Sequence, residues 1–394
     1  MNHGWEYKPL GEICTLCSSK RVHQNEWKEA GVPFLRAREI VKLNQQGFVE
    51  NELFISEEHF QKLKEYGLPQ PGDIMLSAVG TLGATYVVKT SDKFYYKDAS
   101  VICIKGIKGL IPQFLSRLFE TKRLRSQIEN KAPGATVGTI TITNAKNFNI
   151  PVPPMEEQRA IVAELDAISE AIEVKHKQMA AFDALAQSIF YDTFGDPIAN
   201  PKGWEVCQLK QACVDIADGD HMPPPKAETG IPFITISDVD KNRNRIDFDN
   251  TFFVNEDYFI SIKDNRKPKV GDVLYTVTGS YGIPIEIVDD TKFCFQRHIA
   301  LIRPKDLLNP KFLKYWILSD AIQNLSDKVA VGIAQKTVSL TSLRKFPIIL
   351  PPLELQNRFA AQIEEIEREK ANVEATIAQL QTLLDSRMDY WFND

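Results

Sequence analysis

The sequence predicts a mixed α/β protein that is internally duplicated. Two α+β globules are separated by two long helices that pair as an antiparallel coiled coil. Three observations predict this. The chain of 394 residues repeats itself at an offset of 199 positions that drifts to 198. Two segments of about 40 residues carry an apolar ladder with the 3.5-residue period of a coiled coil. Net charge alternates in step with that division: +5 over 1–154, −6 over 155–197, +1 over 198–353 and −5 over 354–394.

Composition bounds the class. Apolar residues make up 43% and charged residues 25% of the chain, as in soluble globular domains, and the length suits two or three domains with their own cores. No apolar run approaches the roughly 18 residues of a membrane span, so no membrane association is expected. The opening MNHGWEYKPL lacks the basic-then-apolar pattern of a secretory signal. Six scattered cysteines are no disulfide framework, and a reducing, cytoplasmic setting is expected.

The repeat sets the boundaries. Gly4-Trp5-Glu6 matches Gly203-Trp204-Glu205, Pro33-Phe34 matches Pro232-Phe233, and Gly72-Asp73 matches Gly271-Asp272. Gly80 and Gly83 match Gly279 and Gly282. At the later offset Pro112 matches Pro310, Gly134 matches Gly332, Phe148 matches Phe346, Pro153-Pro154 matches Pro351-Pro352, and Gln158 matches Gln356. The expected division is a globule over 1–154, a helix over 155–198, a globule over 199–353 and a helix over 354–394. Within the first globule, β-branched runs and Gly-Asp turns predict strands at 73–79, 85–89, 100–104 and 147–152. Their counterparts lie near 272–277, 285–288, 299–302 and 345–350. Helical spacing of apolar residues predicts helices at 57–66 and 112–130.

The helix-pairing seam is legible residue by residue. In the first helix it runs Ile161, Leu165, Ile168, Ile172, Met179, Phe182, Ala186 and Ile189, interrupted at Lys175. In the second it runs Phe359, Ile363, Ile366, Val373, Ile377, Leu380, Leu384 and Trp391, interrupted at Lys370 and Arg387. Paired antiparallel with full overlap, these ladders bring Leu165 near Arg387, Ile172 near Leu380 and Met179 near Val373. The competing arrangement is an amphipathic helix lying on its own globule.

Catalytic signatures are missing. There is no GxxxxGK[ST], no strand followed by GxGxxG, and no HExxH. The paired prolines follow Val152 and Leu350 and read as stops between strand and helix. Cys14-Thr15-Leu16-Cys17 is a single CxxC without a second pair at zinc spacing, so structural cysteines are expected. His221 in Asp218-Gly219-Asp220-His221 resembles an acid/base or metal cluster. The first copy has Ser19-Lys20-Arg21-Val22 there, and a polar loop that differs between copies suits recognition better than catalysis. No metal site and no catalytic residue are expected.

What differs between the copies is concentrated in loops. Lys20, Arg21 and His23 stand opposite the loop holding His221, and Arg36 and Arg38 stand opposite Thr235 and Ser237. Tyr96 and Lys97 stand near Gln296, Arg297 and His298. Thr136 and Thr139 stand near Gln335 and Lys336. These are donors and aromatics of the kind that read base edges and phosphates. One copy reading one sequence and the other another explains a shared framework with unlike loops, and double-stranded DNA is the expected ligand.

Over its whole length the chain resembles the specificity subunit of a type I restriction–modification system. The resemblance is carried by the Gly-Trp openings, by Val32-Pro33-Phe34-Leu35-Arg36 with Ile231-Pro232-Phe233-Ile234, and by Pro71-Gly72-Asp73-Ile74 with Val270-Gly271-Asp272-Val273. It is carried further by Ile150-Pro151-Val152-Pro153-Pro154-Met155-Glu156-Glu157-Gln158 with Ile349-Leu350-Pro351-Pro352-Leu353-Glu354-Leu355-Gln356. It implies a non-catalytic chain with two target-recognition domains, each reading half of a bipartite, asymmetric DNA site. The helices would set the spacing and dock two methyltransferase subunits. S-adenosylmethionine, ATP and Mg are then expected on partner subunits, the last two with a motor-nuclease restriction subunit, and no cofactor on this chain. The alternatives are a related two-site methyltransferase–nuclease without that motor, and a coiled-coil scaffold with no role on DNA.

Overall fold

The structure is a computed structural model and describes residues 4–130, 138–222, 224–332 and 335–392. It divides into two compact units, one formed by Met1–Val174 with Thr376–Asp394 and the other by Lys175–Ala375. Compactness therefore cuts each long helix near its middle.

The first unit is built on a four-stranded antiparallel sheet in the order Thr15–Cys17, Val101–Lys105, Ile74–Ser77, Thr85–Val87. Side chains alternate across a strand, and the two faces separate accordingly. Ile74, Leu76, Ile102 and Ile104 face a core completed by Phe114, Leu115 and Leu118. Met75, Val101 and Cys103 face Leu35, Ile40 and Tyr96. On that side a three-stranded sheet sets Val32–Leu35 antiparallel to Phe54–Ile55 and parallel to Tyr95–Tyr96. Glu6–Pro9 pairs with Asn149–Val152 and so joins the start of the globule to its end.

The second unit repeats this order with Cys213–Asp218, Ile299–Pro304, Val273–Thr276 and Pro284–Glu286. Its three-stranded sheet holds Phe252–Val254, Ile231–Ile234 and Cys294–Phe295, and Glu205–Gln208 pairs with Pro347–Leu350. The duplication extends to single hydrogen bonds. Ser77 Oγ donates to Thr81 O (2.6 Å) and accepts from Ala84 N, while Thr276 Oγ1 donates to Ser280 O (2.7 Å) and accepts from Ile283 N. Each buried hydroxyl thus closes a Gly-x-x-Gly loop. One framework position departs: after the first unit's Leu35 the chain forms helix Ala37–Gln46. After Ile234 it forms a 3₁₀ turn and the hairpin Val239–Asp240 with Arg245–Ile246.

The eight expected strands are present, most with shorter bounds, while 100–104 is shifted to Val101–Lys105 and 299–302 extends to Ile299–Pro304. The expected helix over 112–130 is two helices, Pro112–Leu118 and Lys122–Asn130. Thr121 separates them: its hydroxyl donates to Leu118 O (2.7 Å) and caps the second by accepting from Leu124 N (3.2 Å). Helical spacing alone does not register such a side-chain cap.

Both long helices are 40 residues, Met155–Phe194 and Leu353–Phe392. Each begins on a buried glutamine. Gln158 accepts from Ile111 N and donates to Gly109 O and Pro153 O, each at 2.8 Å. Gln356 repeats this with Asn309 N, Leu307 O and Pro351 O. The first helix stops at Gly195, whose φ of 78° is a left-handed conformation that glycine adopts without penalty.

The helices pair antiparallel in both units. In the first, Arg387 forms an ion pair with Glu164, the neighbour of the expected Leu165, and Trp391 Nε1 donates to the same carboxylate at 2.9 Å. In the second, Lys370 pairs with Asp183 while Phe190 and Phe194 pack on Phe359. Ile161, Leu165, Ile168, Phe359, Ile363, Ile366 and Val373 are buried. Ile172, Met179, Phe182, Ile189, Ile377, Leu380 and Leu384 are half-buried.

The helix ends do more than zip together. Phe194 is buried on Phe312 (4.8 Å between ring centroids) and Phe359. Phe392 is buried on Phe114 (5.6 Å) and Trp5. Phe114 and Phe312 are equivalent positions of the repeat, so each globule core is completed by the end of the helix that follows the other globule in sequence.

Candidate nucleic-acid interface

The parallel pairing of Val32–Leu35 with Tyr95–Tyr96 brings three loops of the first unit to one place. Both strands end there, and Lys97 N donates to Leu35 O at 2.8 Å. Arg36 and Arg38 leave one strand, and Lys97 and Asp98 leave the other. Arg21 Nε reaches Asp98 at 2.8 Å, and Lys20 N donates to the Tyr95 hydroxyl at 2.9 Å. The Lys20 ammonium stands 4.6 Å from the centre of the exposed Tyr66 ring. His23 opens the turn Gln24–Glu26, its N–H donating to Glu26 at 2.7 Å.

These residues are not equally available to a ligand. Arg36 forms a fork with the buried Glu39 through Nε (3.0 Å) and Nη2 (2.7 Å), and Arg38 Nε adds a third bond at 2.7 Å. Burial opposes ionisation of Glu39, yet the two arginines hold its carboxyl below the usual range. Both arginines therefore hold a buried charge in place. Tyr96 lies inside the core at 1% exposure, and its hydroxyl is 4.0 Å from Cys17 Sγ. Lys20, Arg21 and His23 are exposed.

The second unit assembles the same place from different chemistry. Gln296 N donates to Ile234 O at 3.0 Å, as Lys97 does to Leu35. Thr235 N and Oγ1 both donate to Asp238 (2.7 Å each), and Ser237 shares a hydroxyl bond with Thr235. Gly219 lets its loop pass against the strand, since a side chain there would stand 2.0 Å from the Phe295 carbonyl oxygen. His221 Nε2 bonds Asp218 at 2.8 Å, the Tyr258 hydroxyl donates to Asp220 at 2.6 Å, and Arg266 reaches both aspartates. Charges are exchanged between the copies. Arg21 faces Asp98 in the first, and Asp220 and Arg297 stand at the equivalent positions in the second. Arg297 is exposed, with its N–H on Asp220 O at 2.9 Å. His298 is half-buried, and burial together with Arg297 pushes its imidazole below the ordinary value.

A second cluster forms at the glycine loops. Thr139 pairs with Val79, and Thr337 with Thr278. Lys336 accepts from Gly279 N at 3.1 Å, and Gln335 and Lys336 are exposed. Thr136 lies outside the described residues. Tyr66, Tyr258 and Arg266 escape the sequence reading. The run Lys263-Asp264-Asn265-Arg266-Lys267 is the signal for Arg266, as a cationic stretch in a nearly neutral globule. Among the described residues no group of His, Cys, Asp and Glu is placed to hold a metal, and no helix is long and apolar enough to cross a membrane.

Comparison with known proteins gives a consistent result. A family model described as the type I restriction modification DNA specificity domain matches residues 2–181 and again 201–382. The type I restriction enzyme MjaVIII specificity subunit of Methanocaldococcus jannaschii is 23% identical, over 96% of this chain and 92% of its own length. A chain solved in work on complex assembly and conformational transition of the type I R-M system covers 98% of this chain and 96% of its own. It does so at 22% identity and a TM-score of 0.56. The type-I restriction-modification system S subunit from M. genitalium has a TM-score of 0.55 at 13% identity, covering 99% and 96%.

Proposed function

The chain belongs to the type I restriction modification DNA specificity family, and from that premise we propose that it reads a bipartite, asymmetric DNA site. Residues 1–154 and 199–353 are the two recognition domains, each reading one half-site. The loops at the strand ends, with Lys20, Arg21, Lys97, His221, Gln296 and Arg297, supply base and phosphate contacts. The helices dock two methyltransferase subunits, a motor-nuclease subunit completes the restriction complex, and this chain directs their chemistry without performing it.

One observation carries the reading. The two units share framework hydrogen bonds atom for atom, yet place opposite charges at the same strand ends. A duplicated enzyme site would keep its reactive groups in both copies, whereas two readers of different sequences keep the scaffold and change the reading surface.

The test is methylome sequencing of a host carrying this chain with its methyltransferase partner. The expected product is a two-part motif with unlike halves around an unspecified spacer. A continuous motif, or none in a host whose partner subunit is active, overturns the proposal.

A further inference from the structure

The CxxC of the first globule is not a metal-binding pair, because the fold sends its cysteines to different cores. Cys14 is buried among Leu10, Phe114 and Leu118, its thiol pushed up to about 12 by burial. Cys17 packs on the opposite face with Met75, Tyr96 and Cys103. Cys17 and Cys103 are direct partners across the antiparallel strands Thr15–Cys17 and Val101–Lys105. Facing residues in such a ladder have Cα atoms about 4.5–5.5 Å apart with side chains on the same face, inside the roughly 4.4–6.8 Å range a disulfide spans. Cys17 Sγ lies 3.6 Å from the Cys103 carbonyl oxygen and 4.0 Å from the Tyr96 hydroxyl. Cys17 is half-buried, while Cys103 is fully buried.

From this juxtaposition we infer that Cys17 is a peroxide-oxidisable thiol and Cys103 its resolving partner, the two closing a cross-strand disulfide at the base of the loop that carries Lys20 and Arg21. The step balances with hydrogen peroxide as oxidant. The Cys17 thiolate attacks one peroxide oxygen, the O–O bond breaks, and hydroxide leaves a sulfenic acid on Cys17. The Cys103 sulfur then attacks the Cys17 sulfur and the S–O bond breaks. The departing hydroxide takes the Cys103 proton, so two thiols and one peroxide become one disulfide and two waters.

The surroundings favour this order of attack. The adjoining Cys103 side chain outweighs burial and, helped by Lys105 and Tyr96 against the Asp73 charge, lowers Cys17 to about 6. The same neighbour and burial raise Cys103, whose thiol donates to the Asp73 carboxylate at 3.9 Å. Once Cys17 is a neutral sulfenic acid, the thiolate that kept Cys103 protonated is gone. Reactivity follows thiolate character and access, and a nearby second thiol captures the sulfenic acid before further oxidation. The second unit has Ala217 and Leu301 at the equivalent positions, paired in the same ladder, so the same sheet without the thiols is an internal control.

The experiment treats the full-length protein with hydrogen peroxide, alkylates the remaining thiols and maps peptides by mass spectrometry. The expected result is one linked pair, Cys17 with Cys103, with Cys14, Cys207, Cys213 and Cys294 still alkylatable. Cys17→Ser abolishes the linkage. Cys103→Ala, which keeps the core apolar, leaves Cys17 as a sulfenic acid trapped by a cyclic β-diketone. Without any variant, iodoacetamide labels Cys17 at neutral pH about tenfold faster than Cys14 or Cys213. A different linked pair, oxidation at another cysteine first, or Cys17 labelling no faster than the buried thiols overturns the inference.

Discussion

Arg36 and Thr235 occupy the same place in the two units, at the end of the same strand, and their backbones do the same thing. Each N–H donates to a carboxylate three residues on, Glu39 at 2.9 Å and Asp238 at 2.7 Å. Their side chains part company. Arg36 closes on Glu39 and a ten-residue helix follows; the Thr235 hydroxyl closes on Asp238 and a turn and hairpin follow. The polar ties between helix and globule behave likewise. In the first unit Arg117 reaches Asp166 and Ser169, each at 2.9 Å. In the second, Lys311 and Lys314 converge on Glu367 at 2.7 and 2.8 Å. Shared positions are those where the main chain needs a partner, because an unmade buried hydrogen bond is costly whatever residue surrounds it. Charge and reach at the surface carry no such cost and are free to diverge.

The largest expected effect exploits the exchanged helix ends. A fragment of residues 1–197 lacks Phe392, Met388 and Trp391, which complete the first core, but retains Phe190 and Phe194. A second copy supplies Phe194 where Phe392 stood, and several buried apolar side chains at roughly 1.5–3 kcal/mol each outweigh the entropy of association. The fragment is expected to form an isologous dimer. Analytical ultracentrifugation at micromolar concentration decides, and a well-folded monomer breaks the equivalence of the two helices.

In the full chain, Phe392→Ala is expected to destabilise the first unit and Phe194→Ala the second, each by about 3–5 kcal/mol. Hydrogen exchange of the peptides holding Ile104 and Ile302 separates the two. Loosening of the wrong unit by either variant would contradict the exchange of ends. Gln158→Leu and Gln356→Leu each strand three backbone groups, at about 1–3 kcal/mol per group left unpaired. The same exchange measurement should show matched drops in local protection, one in each unit.

Smaller effects sharpen the recognition side. Replacing Lys20 and Arg21 by alanine is expected to relax the first half-site by about 1–3 kcal/mol for each base-reading side chain removed and to leave the second unchanged. Arg36→Ala and Arg38→Ala are expected to lower the stability of the first unit as well, since both hold Glu39. Methylation patterns of the variants test the first claim and thermal unfolding the second; a change at both half-sites breaks the two-reader comparison.

The smallest effect is on pH. Burial raises the Glu367 carboxyl, but Lys314 and Lys311 prevail and hold it below the usual range. A depressed carboxylate adds stability that is complete above its unfolded value of about 4.3 and is lost as pH falls through the lower folded value. The protection difference between the parent and Glu367→Gln in the second unit should therefore shrink on acidification through that window. A difference that stays constant would show that the ion pairs do not stabilise this place.

Local and periodic features follow from the residues alone. The repeat, the two helices and their seam come from spacing, because a 3.5-residue ladder specifies a face and a matched ladder specifies what covers it. The antiparallel direction follows only if the two halves are related by a pseudo-twofold axis. The register was set on folding, where Arg387 meets Glu164 and Lys370 meets Asp183. The loops at 20–23, 36–38 and 97 with their counterparts were legible as the places where the copies diverge. Other features depend on which distant segments share a strand edge or a core, and these emerged only on folding. Folding put Tyr96 inside and tied Arg36 to Glu39. It also set Cys14 and Cys17 on opposite sides of one sheet, since alternation along a strand sends neighbours apart and only pairing says what they meet. Likewise, aromatic residues at a helix end look like a continuation of the seam. Only packing against Phe114 and Phe312 made Phe392 and Phe194 the closing pieces of the two cores.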